Sequence, residues 1–93
     1  MTQIELGREI EIHELSYTDL TQEAETLEAK GESIACYNLI EENDAGLIET
    51  VGRLLFVPSV ERACLCFGAD SQWTDATSAE DAVRRYNADE MVN

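Results

Sequence analysis

Hydrophobic and polar positions change their period several times along the 93 residues. Residues 3–14 alternate loosely, with Ile4 and Leu6, a break at Gly7, then Ile10 and Ile12. In a strand, Ile10 and Ile12 would share one face and leave Glu9, Glu11 and His13 on the other. One strand, or two short ones kinked at Gly7, is expected. The stretch "YTDLTQEAETLEAKG" reads as a helix, because Leu20, Ala24 and Leu27 recur at i, i+4 and i+7. Thr18 or Asp19 offers an N-cap, acids fill the first turns, Lys30 stands near the end and Gly31 suits the stop.

The middle of the chain carries two signals at once. In "ESIACYNLIEEN", alternation would place Ile34, Cys36 and Ile40 on one strand face, while helical spacing links Cys36, Tyr37 and Ile40 equally well. We read this segment, residues 33–42, as a helix. In "DAGLIETVGRLLFVP", Leu47, Ile48, Val51, Leu54 and Leu55 follow helical spacing, Asp44 offers a cap and Pro58 a stop. This predicts an amphipathic helix over 47–57. Gly46 and Gly52 oppose it, each costing about 1 kcal/mol in a helix interior relative to alanine. The rival is a strand from Val51 to Val57 that turns at "PS" into the next segment.

"VERACLCFG" is the plainest strand, with Cys64 and Cys66 on one face and Leu65 and Phe67 on the other, as in a strand covered on both sides. "GADSQWTDAT" predicts a turn with a short strand around Trp73. "SAEDAVRRYNADEM" predicts a closing helix. Ser78 and Asp81 resemble a capping box, Ala82, Val83 and Tyr86 face the core, and Arg84 and Arg85 complement the C-terminal dipole. The expected architecture is a single α+β domain over residues 1–93, with a small β-sheet and three to four short helices.

Charge changes the picture from fold to function. Twenty acids and six bases give a formal net charge of −14. Residues 1–50 hold −11 of it and residues 51–93 only −3. Such a field disfavours direct contact with nucleic acid or anionic membrane and favours a basic protein surface. "MTQIELGREI" lacks the apolar core of a secretory signal, and no run approaches the roughly 18 apolar residues of a membrane span. Cys36, Cys64 and Cys66 make an odd, closely spaced set unlike a secreted disulfide framework. A cytoplasmic protein of a bacterial host is expected.

Candidate chemistry is sparse. There is one histidine, and neither a nucleophile elbow, a phosphate-cradling glycine loop nor HExxH occurs. Glu9 and Glu11 could serve acid–base work, but with 20 carboxylates in the chain close pairs are unavoidable. The expected protein is not an enzyme. Cys36, Cys64, Cys66 and His13 could compose a zinc set, yet paired cysteines in zinc knuckles keep about two to four residues between them. Packing as small hydrophobes is the expected role of the cysteines, with no metal and no cofactor. "EENDAG" is too short for a calcium loop and reads as a turn.

The acids themselves form patterns. Glu25, Glu28 and Glu32 would line one stripe beside the apolar stripe of their helix, with Asp19 and Glu23 on the opposite flank near Lys30. Glu9 and Glu11 would project from one strand face about 6.8 Å apart. Glu41, Glu42, Asp44 and Glu49 add a third group. Carboxylates about 5–7 Å apart are comparable in spacing to nucleic-acid phosphates and could occupy a groove lined with Lys and Arg. The alternative is a merely solvated acidic face.

With that size, acidity and α+β makeup, and the cadence "SQWTDATSAEDAVRRY", the chain resembles small acidic anti-defence proteins of phages and mobile elements. These are the anti-CRISPR and DNA-mimic antirestriction proteins. No family motif matches residue by residue, so no functional position carries over. The resemblance implies a non-enzymatic inhibitor that binds a host protein or nucleoprotein complex and occludes its nucleic-acid site. Glu9, Glu11, Glu25, Glu28, Glu32, Glu41, Glu42, Asp44 and Glu49 are then the contact candidates. A second class is a small interaction module, such as an antitoxin, adaptor or homodimeric subunit. Its mark would be an exposed apolar patch around Phe56, Phe67 or Trp73.

Overall fold

Strands β1 (Glu5–Ile10), β2 (Ala35–Glu42), β3 (Ile48–Val57), β4 (Arg62–Phe67) and β5 (Asp70–Asp75) form one antiparallel sheet in chain order. Helix α1 (Thr18–Ala29) and helix α2 (Ala79–Asn87) complete the fold, with short 3-10 turns at Ile12–Leu15 and Pro58–Val60. The computed structural model describes residues 3–15 and 18–91. The α+β class is as expected, but the described residues hold two α-helices rather than three to four.

The sheet is covered on both faces. On one side Leu39, Leu54, Ala63 and Leu65 pack with Ile4 and with Ala79, Ala82 and Val83 of α2. On the other, Ile10, Cys36, Leu55, Val57, Cys64 and Cys66 pack with Leu15 and with Leu20 and Ala24 of α1. Consecutive residues of β3 and β4 therefore enter opposite cores. Leu54 and Leu55 are both fully buried, as are Ala63 and Leu65 with Cys64 between them at 1% exposure.

This two-sided burial explains the correction over residues 33–42 and 47–57, where strands β2 and β3 stand in place of the expected helices. A strand buried on both faces loses its polar alternation, and its apolar run then mimics a helical stripe. Gly52 is the residue a helix could least explain. It sits opposite Leu39, and a Cβ there would collide with the Cys66 carbonyl and lie 2.9 Å from Phe67 Cδ1. Close backbone approach, not helix flexibility, requires glycine at this position. The expected cap Asp44 lies instead in the turn joining β2 to β3.

The α1 boundary follows the sequence closely. Glu32 N–H donates to the Leu27 carbonyl and Gly31 N–H to Glu28, with Gly31 at φ +83, the paired bonds of a Schellman stop. Leu20 and Ala24 are buried and Leu27 half-buried. The cap expected from Thr18 or Asp19 falls on side chains outside the described residues. At α2, Ser78 Oγ accepts from Asp81 N–H at 3.0 Å, and the Asp81 carboxylate reaches back to Thr77 N–H at 3.1 Å. The capping box is thus present but displaced by one residue. Tyr86, expected in the core, is 37% exposed and rests its ring 5.0 Å from Phe67.

Two long-range ties were invisible in the sequence. The Asn87 side chain accepts from Ile4 N–H at 3.1 Å and donates to its carbonyl at 2.9 Å, fastening α2 to the start of β1. Arg53 of β3 donates through Nε to the Glu14 carbonyl at 3.0 Å and so positions the 3-10 turn before α1.

A candidate acidic interaction surface

The nine predicted contact acids divide among the β1–α1 cleft with the neighbouring face of α1, the loop after α1, and the β2–β3 hairpin. Strand β1 ends at Ile10, so Glu11 lies past it, on the entry to the 3-10 turn, and the expected shared strand face of Glu9 and Glu11 is not formed. The pairing slip at Gly7–Arg8 and the following turn bring them together by another route. Glu9, Glu11 and Glu28 line one cleft of about 300 Å³ between β1 and α1, with Ile10, Ile12, Ile34 and Cys36 as its remaining walls. Glu25 is exposed one turn before Glu28 on α1. Glu32 follows the Schellman stop and leaves the helix line, and its carboxylate accepts a short hydrogen bond from Ser59 Oγ.

Glu41, Glu42, Asp44 and Glu49 occupy the hairpin. Strand β1 leaves β2 at Ile40, and β4 leaves β3 at Arg53. Residues 41–52 therefore run on as a two-stranded arm. A register slip at its base pairs Leu39 with Gly52 and Ile40 with Thr50, leaving Val51 bulged. On the arm Glu41 faces Glu49 directly, and Glu42 faces Ile48. Like charges in such a pair repel. Cys36 and Glu42 are separated by about 20 Å at the strand rise, so the arm and the cleft are distinct surfaces.

The arm turn is built by Asn43. Its Oδ1 accepts from Ala45 N–H at 2.9 Å and Leu47 N–H at 3.0 Å, its own N–H donates to the Leu47 carbonyl at 2.8 Å, and Gly46 takes φ +81. Of "EENDAG", expected as a turn, Glu41 and Glu42 close strand β2 and residues 43–46 make the turn, closed by an Asx motif.

Charge compensation is uneven. Arg8 pairs with Glu14 at 3.1 Å, Arg62 with Asp75 at 3.5 Å, and Arg84 and Arg85 with Asp81 at 2.9 and 3.0 Å. Arg84 also meets Glu90 at 3.7 Å. None of the nine candidate acids takes part in an ion pair among the described residues. Asp81 is held well below the usual carboxylate range by the Thr77 N–H and by Arg85 and Arg84. Glu14 is lowered chiefly by the Glu11 N–H and then by Arg8.

All three cysteines are buried in the core beneath α1. Burial pushes the Cys36 thiol up to about 11, and Glu9, Glu28 and Glu11 add to the rise. Cys64 and Cys66 are 3.9 Å apart through their sulfurs, and that contact together with burial pushes Cys64 up. Among the described residues no three His, Cys, Asp or Glu side chains converge as metal ligands. His13 is exposed on the 3-10 turn rather than on a strand. No described helix is long and apolar enough to cross a membrane.

Phe56, Phe67 and Trp73, around which an interaction module would carry its apolar patch, are each half-buried against the cores, and Trp73 lines a cleft with Leu27, Val57 and Val60. Among the described residues the large exposed apolar side chains are Leu47 (63%), Ile48 (66%), Val60 and Tyr86. Sequence reasoning missed Leu47 and Ile48 because a helical stripe counted them as core. The chain matches no protein-family model, no curated protein and no solved structure.

Proposed function

We propose that the protein is a non-enzymatic inhibitor that binds the basic, nucleic-acid-binding surface of a host defence complex, in the manner of anti-CRISPR and DNA-mimic proteins. One observation carries this reading. Nine carboxylates on the cleft, α1, the loop after it and the arm lack ion pairs among the described residues, while four of the six bases are engaged with other acids. Uncompensated charge of one sign projects a field that draws a basic surface into fast, salt-sensitive encounter. The convergence of Glu9, Glu11 and Glu28 on one cleft supports a local concentration of that field.

The test is capture of proteins from nuclease-treated bacterial lysate at low and moderate salt, followed by the same capture with Glu9, Glu11 and Glu28 reversed to lysine. A nucleic-acid-binding complex held by the native protein, weakened by salt and lost on reversal, is the expected result. Capture indifferent to both salt and reversal would overturn the reading. That outcome would favour a small interaction module whose acidity serves solubility, for which the exposed Leu47 and Ile48 speak.

A further inference from the structure

We propose that Leu47 and Ile48, at the tip of the arm, are the apolar anchor of the partner contact and enter an apolar socket bordered by lysine and arginine side chains. This inference rests on the reading of a basic partner. It adds that the arm, and not the α1 cleft alone, makes the short-range contact.

Leu47 and Ile48, each more than 60% exposed, follow one another in extended pairing with Asn43 and Glu42, so they flank the tip on opposite faces of the arm and a socket that receives the tip meets one on each wall. They are held ready. The Asx bonds of Asn43 and the left-handed Gly46 fix the turn that presents them, so little conformational freedom remains to be lost on binding. Glu42 directly across from Ile48, Glu49 next to it in the chain and Asp44 in the turn give the same tip a charged border, without ion pairs among the described residues. An apolar centre inside a polar rim is the usual anatomy of a binding hot spot.

The rim selects the occupant. A second copy of the chain, itself at −14, would bring the same three acids of each tip together and be repelled. A socket with a neutral rim would desolvate three carboxylates without a counter-charge. A socket bordered by lysine and arginine accepts the apolar pair and compensates the rim together.

Two probes separate the anchor from the charge: an amphipathic helical peptide of leucine and lysine, and an oligolysine of equal charge. Binding is measured by fluorescence anisotropy at about 0.15 M salt, where exposed charge alone is strongly screened. The native protein is expected to prefer the leucine–lysine peptide. Leu47→Ser with Ile48→Ser should weaken that peptide about 30-fold, from the apolar area lost, and leave oligolysine unchanged. Glu42→Lys with Glu49→Lys should weaken both probes. Unchanged leucine–lysine binding in the serine variant overturns the anchor while leaving the charge reading intact. Native protein that binds neither probe overturns both. Leucine–lysine binding that survives rim reversal overturns the basic border, and a native dimer dissolved by the serine pair assigns the tip to a second copy instead.

Discussion

Gly52→Ala tests whether the base of the arm is packed as tightly as the structure requires. The added methyl would overlap the Cys66 carbonyl and approach Phe67 Cδ1 and Cε1 to 2.9 and 3.2 Å. The carbonyl belongs to β4, paired to both β3 and β5, so it cannot retreat without disturbing the centre of the sheet. Phe67 is itself backed by Tyr86. Overpacking of this kind costs about 1–3 kcal/mol. Against it, alanine restricts the unfolded chain and returns about 0.4–1 kcal/mol. Steric overlap wins, with a net loss of about 1.5 kcal/mol and, at about 4–8 °C per kcal/mol for a domain of this size, a Tm lower by about 6–12 °C. Thermal unfolding followed by circular dichroism gives the answer, with Thr50→Ala, exposed on the same arm, as the control expected within about 0.5 kcal/mol of native. A Gly52→Ala Tm equal to or above native would refute this reasoning, since it would mean that β4 does not lie against the arm's base.

Asp81→Asn should lower stability at pH 7 by about 1 kcal/mol, because asparagine can still accept from Thr77 N–H and the Arg84 partner is largely exposed. The folded value of Asp81 is depressed, so its contribution is present above the ordinary carboxylate value of about 3.9 and fades as pH falls through the folded one. Urea unfolding of both proteins should show the gap closing in strong acid, and a gap constant with pH would contradict that linkage. Cys36, 3% exposed and with its thiol pushed up to about 11 by burial, should resist alkylation at pH 8 in the folded protein and react fully in denaturant. Native-state labelling at the rate of an exposed thiol would show that the cleft wall opens.

Features set by neighbours along the chain are legible in the sequence alone. Helix α1 ends at Gly31 because a residue without Cβ can take φ +83 and let two successive N–H groups return to the last turn. Strand β4 reads as two-faced because its cysteines alternate with Ala63, Leu65 and Phe67. Ser78, Asp81 and Arg84 announce α2 through capping and dipole chemistry that spans a single turn. The acidity of the first fifty residues follows from composition.

Pairing decided the rest. Leu47, Ile48, Val51, Leu54 and Leu55 satisfy a helical period as written, and only their register against β2 and β4 divides them between two cores and solvent. Which acids meet was likewise a tertiary outcome. Glu9, Glu11 and Glu28 share a cleft because β1 gives way to a 3-10 turn that Arg53, 39 residues from Glu14, holds in place. Glu41 and Glu49 oppose each other because a tight Asx turn folds β3 back on β2. Local sequence specifies caps, turns and net charge, since those energies act within one turn of chain. The surface that charge decorates depends on contacts between residues tens of positions apart, whose register is chosen by burying both faces of the sheet together.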